Sequence, residues 1–135
     1  MQVFLLYPDL CKSVQCLDPD RKGNQVYNEA AILIKGGWKH HPASKMWKNY
    51  KVALAQYCLY GLESLESDGK LYWHWIDFYS GYLYHGDLIL PSWLGDERVH
   101  SSHRAALLYK DYEYYKQFGW KEKPEMRYYW PCTST

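Results

Sequence analysis

Residues 30–62 contain no aspartate or glutamate. The same stretch carries Lys35, Lys39, Lys45, Lys48 and Lys51, together with His40 and His41, on a chain whose net charge is only +1. So small a net charge generates no global field toward a polyanion, and any such attraction has to be local. The acids gather elsewhere, notably at Glu63, Glu66 and Asp68. Paired Cys-x-x-Cys spacing is missing. Cys11, Cys16, Cys58 and Cys132 fit no zinc pattern, and free thiols of a reduced, cytoplasmic protein are expected. The opening MQVFLLYPDL has no basic n-region and too short an apolar run for a signal peptide. No stretch reaches the length of a membrane span. The chain also lacks a phosphate-cradling glycine loop and a Gly-x-Ser-x-Gly elbow, which sets aside two common enzyme classes. There is no internal repeat and no low-complexity tract.

What is present suits one domain spanning residues 1–135, with 47% apolar residues. Aromatics reach 19%, with fifteen tyrosines and seven tryptophans. They serve either as stacking surfaces or as the filling of a small core. The patterning predicts a mainly helical, all-α fold. Residues 2–7 are strand-like or simply buried. Asp9 caps a short helix over LCKSVQCL. DPDRKGN reads as a turn, broken by Pro19 and Gly23. QVYNEAAILIK has helical spacing, with Val26, Ala30 and Leu33 on one face, and ends at Gly36 and Gly37. The longest helical pattern starts at Pro42 and runs to Gly69, with Met46, Tyr50, Ala53, Tyr57 and Tyr60 near one face. LYWHWIDFYSGYLYHGD fits strand or helix. LILPSWLGD is a loop, and Asp96 caps a helix from Glu97 to about Tyr109. DYEYYKQFGW forms a short helix ending at Gly119, and RYYWP is an extended tail.

Three stretches carry chemistry. Glu29 sits at helical spacing from Gln25, Val26, Ile32 and Leu33. A carboxylate among apolar side chains loses water and suits general acid/base work, or else it is a boundary glutamate reaching solvent. GWKHHPASKMWKNY interleaves Trp38 and Trp47 with Lys45 and Lys48. That composition neutralises phosphates and stacks bases, or it is a solvated helix face with core tryptophans. In HSSHRAALLYKD, helical spacing puts His100, His103, Arg104 and Leu107 on one stripe. Two histidines three apart with no nearby third ligand are weak metal ligands. The imidazoles and Arg104 either hold a phosphate or carboxylate, or form a satisfied, partly buried set.

Taken together, LDPDRKGNQVYNEA, GWKHHPASKMWKNYKVALAQY, WLGDERVHSSHRAALLYKDYEYY and the late YYWP resemble the pyrimidine dimer DNA glycosylase (endonuclease V-like) family. The chain looks closest to a bacterial and phage branch with His-Pro and His-x-x-His-Arg elements. The resemblance extends over nearly the whole chain and implies a compact all-helical fold. It also implies cleavage of the N-glycosidic bond of a damaged or modified base in double-stranded DNA, with or without strand cleavage through a Schiff base. An N-terminal α-amine is the family's nucleophile, and a glutamate on the first long helix supports it. Glu29 matches that glutamate. Gln2 is too large for the usual methionine removal, so the amine is that of Met1, or else Glu29 activates water. His41, His103 and Arg104 complete the implied catalytic set. Arg21, Asn24, Gln25, Trp38, Lys45, Lys48, His100 and Lys110 are the implied DNA contacts. A monomer without metal or organic cofactor is expected. A nucleic-acid-binding module without chemistry and a hydrolase of free modified nucleotides remain the alternatives.

Overall fold

Residues 2–6 run extended through the interior, and side chains from three helical segments supply the hydrogen bonds that a neighbouring strand would otherwise give. The computed structural model describes residues 2–65 and 69–131, with 69–71 by backbone alone. Gln2, Val3, Phe4, Leu5 and Leu6 are all buried. A buried main chain must pair its N–H and C=O groups. Here the Gln2 N–H donates to Glu29 Oε2 (2.9 Å) and the Phe4 N–H to Gln25 Oε1 (3.0 Å). The Leu5 N–H donates to His103 Nδ1 (2.9 Å). In return Gln25 Nε2 donates to Gln2 O, Tyr57 Oη to Phe4 O, His100 Nδ1 to Leu5 O and Arg104 Nη1 to Leu6 O, at 2.6–2.9 Å. The strand-like expectation for this segment is met in conformation but not in pairing.

Among the described residues all regular structure is helical, so the fold is all-α as the patterning predicts. Helix α1 (Leu10–Gln15) begins where Asp9 accepts the Lys12 N–H. Helix α2 (Pro19–Asn24) replaces the predicted turn. Asp18 caps it, and Pro19 occupies the first position, where a missing N–H costs nothing. The chain then widens into a π-helical turn (Gln25–Glu29) and continues as α3 (Ala30–Ile34). Gly36 stops it at φ +86°.

The single long helix expected from Pro42 is two. Helix α4 (Pro42–Trp47) and α5 (Lys51–Leu65) are separated by a turn in which the Tyr50 N–H donates to Trp47 O (2.9 Å). Asn49 in that turn favours the break. Glu66 and Asp68 lie outside the described residues, as does Cys132. Helix α5 packs against α1, α2, α3 and α6. At Gly61 the approach is so close that a Cβ would lie 2.8 Å from Val26 and 2.9 Å from Val14.

The ambiguous aromatic stretch is helix α6 (Gly69–Tyr84), which starts at the glycine expected to stop the previous one. Trp75 meets Phe78 and Tyr79 at 5.3 and 5.6 Å, the neighbour pattern of a helix face. Asp96 caps α7 (Glu97–Lys110) as expected. Helix α8 (Tyr112–Tyr115) and a 3₁₀ turn end at Gly119 (φ +69°), and residues 120–130 carry no regular structure. No helix among the described residues is long and apolar enough to cross a membrane.

Candidate active site

The π-helical turn creates the site. The Ala30 N–H donates to Gln25 O, five residues back, so the backbone carries one residue more than an α-helical turn would. In an α-helix residues five apart diverge by about 140°. Here Asn24 and Glu29, five apart, converge, and Asn24 Nδ2 donates to Glu29 Oε1 (3.3 Å). Asn28 Nδ2 donates in turn to Asn24 Oδ1 (3.1 Å). The other carboxylate oxygen holds the Gln2 N–H. Glu29 is half-buried, and among the described residues no cation lies within ion-pair distance of it. Its two oxygens are therefore braced by neutral donors. Met1 lies outside the described residues.

His41 and Tyr128 lie within electrostatic range of Glu29, and further aromatic rings gather around His41. The Ala43 N–H donates to His41 Nδ1 (3.0 Å), which caps α4 and leaves the ring proton on Nε2. Burial pushes the His41 pKa down, against the opposing pull of the Glu29 carboxylate. Both the cap and the burial favour the neutral ring. The Trp38 ring lies 6.0 Å from the His41 ring, and Trp130 meets that ring edge-on at 5.8 Å. Trp38 holds φ +52°, a conformation costly for a bulky residue, and is half exposed. Tyr128 sits 5.5 Å from Trp130, and burial with the nearby Glu29 charge pushes its pKa up to about 12. Gln2, Asn28, Tyr128 and Trp130 join the site although the sequence did not single them out for it. The late YYWP motif was the one available signal for the last two.

The structure corrects four of the expected site residues. His100 and His103 are fully buried, and Arg104 and Gln25 nearly so. His100 accepts the Gly95 N–H at Nε2 (2.9 Å) and donates from Nδ1 to Leu5 O, so both ring nitrogens are occupied. His103 takes the Leu5 N–H. Arg104 binds Leu6 O, Glu97 and Glu122. Gln25 binds Gln2 and Phe4. All four hold residues 2–6 in place instead of facing DNA or a reacting sugar. Leu107 on the same stripe is core.

The basic stretch forms a separate surface. A cleft of about 770 Å³ is lined by Lys39, His40, Lys45, Lys48 and Lys51 with no carboxylate in its wall. The loop between α3 and α4 serves both places: Lys39 and His40 line the cleft, while His41, with the Trp38 ring against it, lies within electrostatic range of Glu29. Arg21 is drawn to Asp18 (3.2 Å) and Asp111 (3.8 Å), and Lys110 is exposed at the end of α7. No group of three or more potential metal ligands occurs among the described residues.

No curated protein and no solved structure matches the chain. Residues 1–67 match the family described as pyrimidine dimer DNA glycosylase. That segment contains the extended start, the π-helical turn with Glu29, and His41 on its loop. Over this segment, 67 of its 135 residues, the chain is similar to the pyrimidine dimer DNA glycosylase family.

Proposed function

We propose that the protein excises a damaged or modified pyrimidine base from double-stranded DNA, with Glu29 working beside an N-terminal α-amine. The observation that carries this reading is the 2.9 Å bond from the Gln2 N–H to Glu29 Oε2. The α-nitrogen of Met1 is three covalent bonds from the Gln2 nitrogen, about 4.3 Å laid end to end. An α-amine titrates near pH 8, about two units below lysine, so a useful fraction is neutral at pH 7.

The amine attacks C1′ of the target sugar. The bond to the base breaks, and the base leaves with the electron pair and takes up a proton. Glu29 stabilises the positive charge on the sugar and accepts the proton that the attacking nitrogen sheds. Sugar ring opening gives a Schiff base, from which elimination cleaves the strand. His41 presents its Nε2–H to the departing base. Trp38 supplies a stacking face, and Arg21, Asn24, Lys45, Lys48 and Lys110 contact DNA. Extrusion of the base costs least where it is damaged. The protein works as a monomer in a reducing interior, where Cys11, Cys16 and Cys58 stay thiols.

A duplex panel tests this reading, with a pyrimidine dimer, hydroxymethylated and glucosylated cytosine, uracil and an unmodified control, each with and without borohydride. Base release with a trapped adduct at residue 1 is the expected result. An adduct on the Gln2 nitrogen would mean that Met1 is removed before the reaction. Release without an adduct would transfer the attack to a water activated by Glu29. Glu29→Gln keeps an acceptor for the Gln2 N–H but loses the proton acceptor. It should slow release by about 10²–10⁴-fold with DNA binding nearly unchanged. Release at the wild-type rate would remove Glu29 from the chemistry.

A further inference from the structure

Three consecutive large aliphatic residues, Leu88, Ile89 and Leu90, follow α6 without regular structure, and they are 52%, 61% and 53% exposed. Single exposed apolar residues need no explanation, but a run of three does. Both ends of this ridge are fastened. Before it, Gly86 lies so close to Val52 that a Cβ would come within 2.7 Å of that side chain. After it, Pro91 is buried and the Ser92 N–H donates to Tyr50 Oη (3.3 Å). The buried Trp93 indole donates to Met46 O (3.1 Å) and meets Trp47 edge-on at 5.1 Å. An apolar tip therefore stands on a fixed base.

Its flank is basic. A cavity of about 230 Å³ is lined by Ile89 together with Lys48 and Lys51, with Asp87 its one carboxylate. Lys48 and Lys51 also line the lysine cleft, which has none. Among the described residues no cleft lysine is in an ion pair. A duplex has the complementary form, with phosphates at its edge and stacked apolar faces inside. Proteins that bend DNA insert aliphatic side chains between base steps while basic groups hold the backbone.

We propose that Leu88, Ile89 and Leu90 form a wedge that enters the duplex and unstacks a base step, while the cleft lysines hold the adjoining phosphates. This rests on DNA being the substrate, but not on the chemistry at Glu29. The test uses the full chain and a triple variant, Leu88→Ser with Ile89→Ser and Leu90→Ser, whose exposed positions leave the core intact. Both are mixed with an undamaged duplex carrying 2-aminopurine, whose fluorescence rises on unstacking. Wild type should give the rise, and the variant should lose most of it while binding with the same salt dependence. An equal rise from the variant would overturn the wedge, as would wild type that fails to bind DNA. A wild-type dimer in sedimentation that the variant dissolves would also overturn it, by giving the ridge to self-association. Base release is scored separately on the damaged duplex. Ridge-dependent unstacking without release would keep the wedge and sink the glycosylase reading. Release with ridge-independent unstacking would do the reverse.

Discussion

His103 carries a consequence that its neighbour His100 does not. Its Nδ1 takes the Leu5 N–H, while its Nε2 is buried without a hydrogen-bond partner. Phe4 and Tyr128 meet the ring edge-on at 5.9 and 5.8 Å. Burial pushes its pKa down to about 3, with His100 and Arg104 adding to the shift. The folded value is thus below the unfolded value of about 6.5. The unfolded chain binds this proton first, so stability is complete above about pH 6.5 and is lost as pH falls toward 3. The limiting slope is about 1.4 kcal/mol for each pH unit. Denaturant unfolding at pH 7 and pH 5 should show the drop. His103→Gln should start less stable at pH 7 and lose less on acidification. An undiminished loss in the variant would locate the acid sensitivity elsewhere. Helical spacing correctly put His100, His103, Arg104 and Leu107 on one stripe. It could not say what faced them, because the opposing groups are main-chain atoms almost a hundred residues away (Leu5 N–H to His103, a separation of 98). Glu29 was legible, since a lone carboxylate in an apolar pattern stands out.

At the scale of elements, helix ends were legible wherever a capping side chain marked them, as Asp9 does for α1 and Asp96 for α7. Helix α2 was hidden because Pro19 and Gly23 read as breakers, although proline at a first helical position is favourable. The π-helical turn has no sequence signature, yet it brings Asn24, Gln25 and Glu29 to the buried start of the chain. Gln25 is the test of that arrangement. Gln25→Ala leaves the Phe4 N–H and the Gln2 carbonyl without their side-chain partners. Each unmade buried bond costs about 1–3 kcal/mol, so a loss of about 2–6 kcal/mol is expected in denaturant unfolding. Base release should fall too, because Gln2 would no longer be fixed against Glu29. Asn24→Ala, at an exposed position with a 3.3 Å bond, should cost within about 0.5 kcal/mol. Equal effects from the two variants would remove the π-helical turn from its structural role.

For the whole molecule, the two halves of the chain complete each other. Residues from α7 pair with the extended start, Trp93 packs on Trp47, and Trp130 stands against His41. No periodicity within a short window reveals such contacts, which is why Tyr128 and Trp130 read as a loose tail. Charge shows the same division between the chain average and the local surface. A net charge of +1 predicts weak attraction to DNA, whereas the lysine cleft predicts a strong local one. Salt dependence separates them, because each phosphate contact adds about 0.9 to the slope of log affinity against log salt. Lys45→Ala combined with Lys48→Ala should reduce that slope by about 1.8 if both lysines hold phosphates. Lys116→Ala is the control, since Lys116 is already paired with Glu113 (2.6 Å) on the far C-terminal side of α8. It removes the same unit of charge from the chain average as either cleft substitution, so a global field would respond to it equally. A slope that moves with the cleft lysines and not with Lys116 puts the duplex along the cleft. Equal small changes from all three would mean that DNA is held elsewhere, and the acid-free run of residues 30–62 would be only a solvated face.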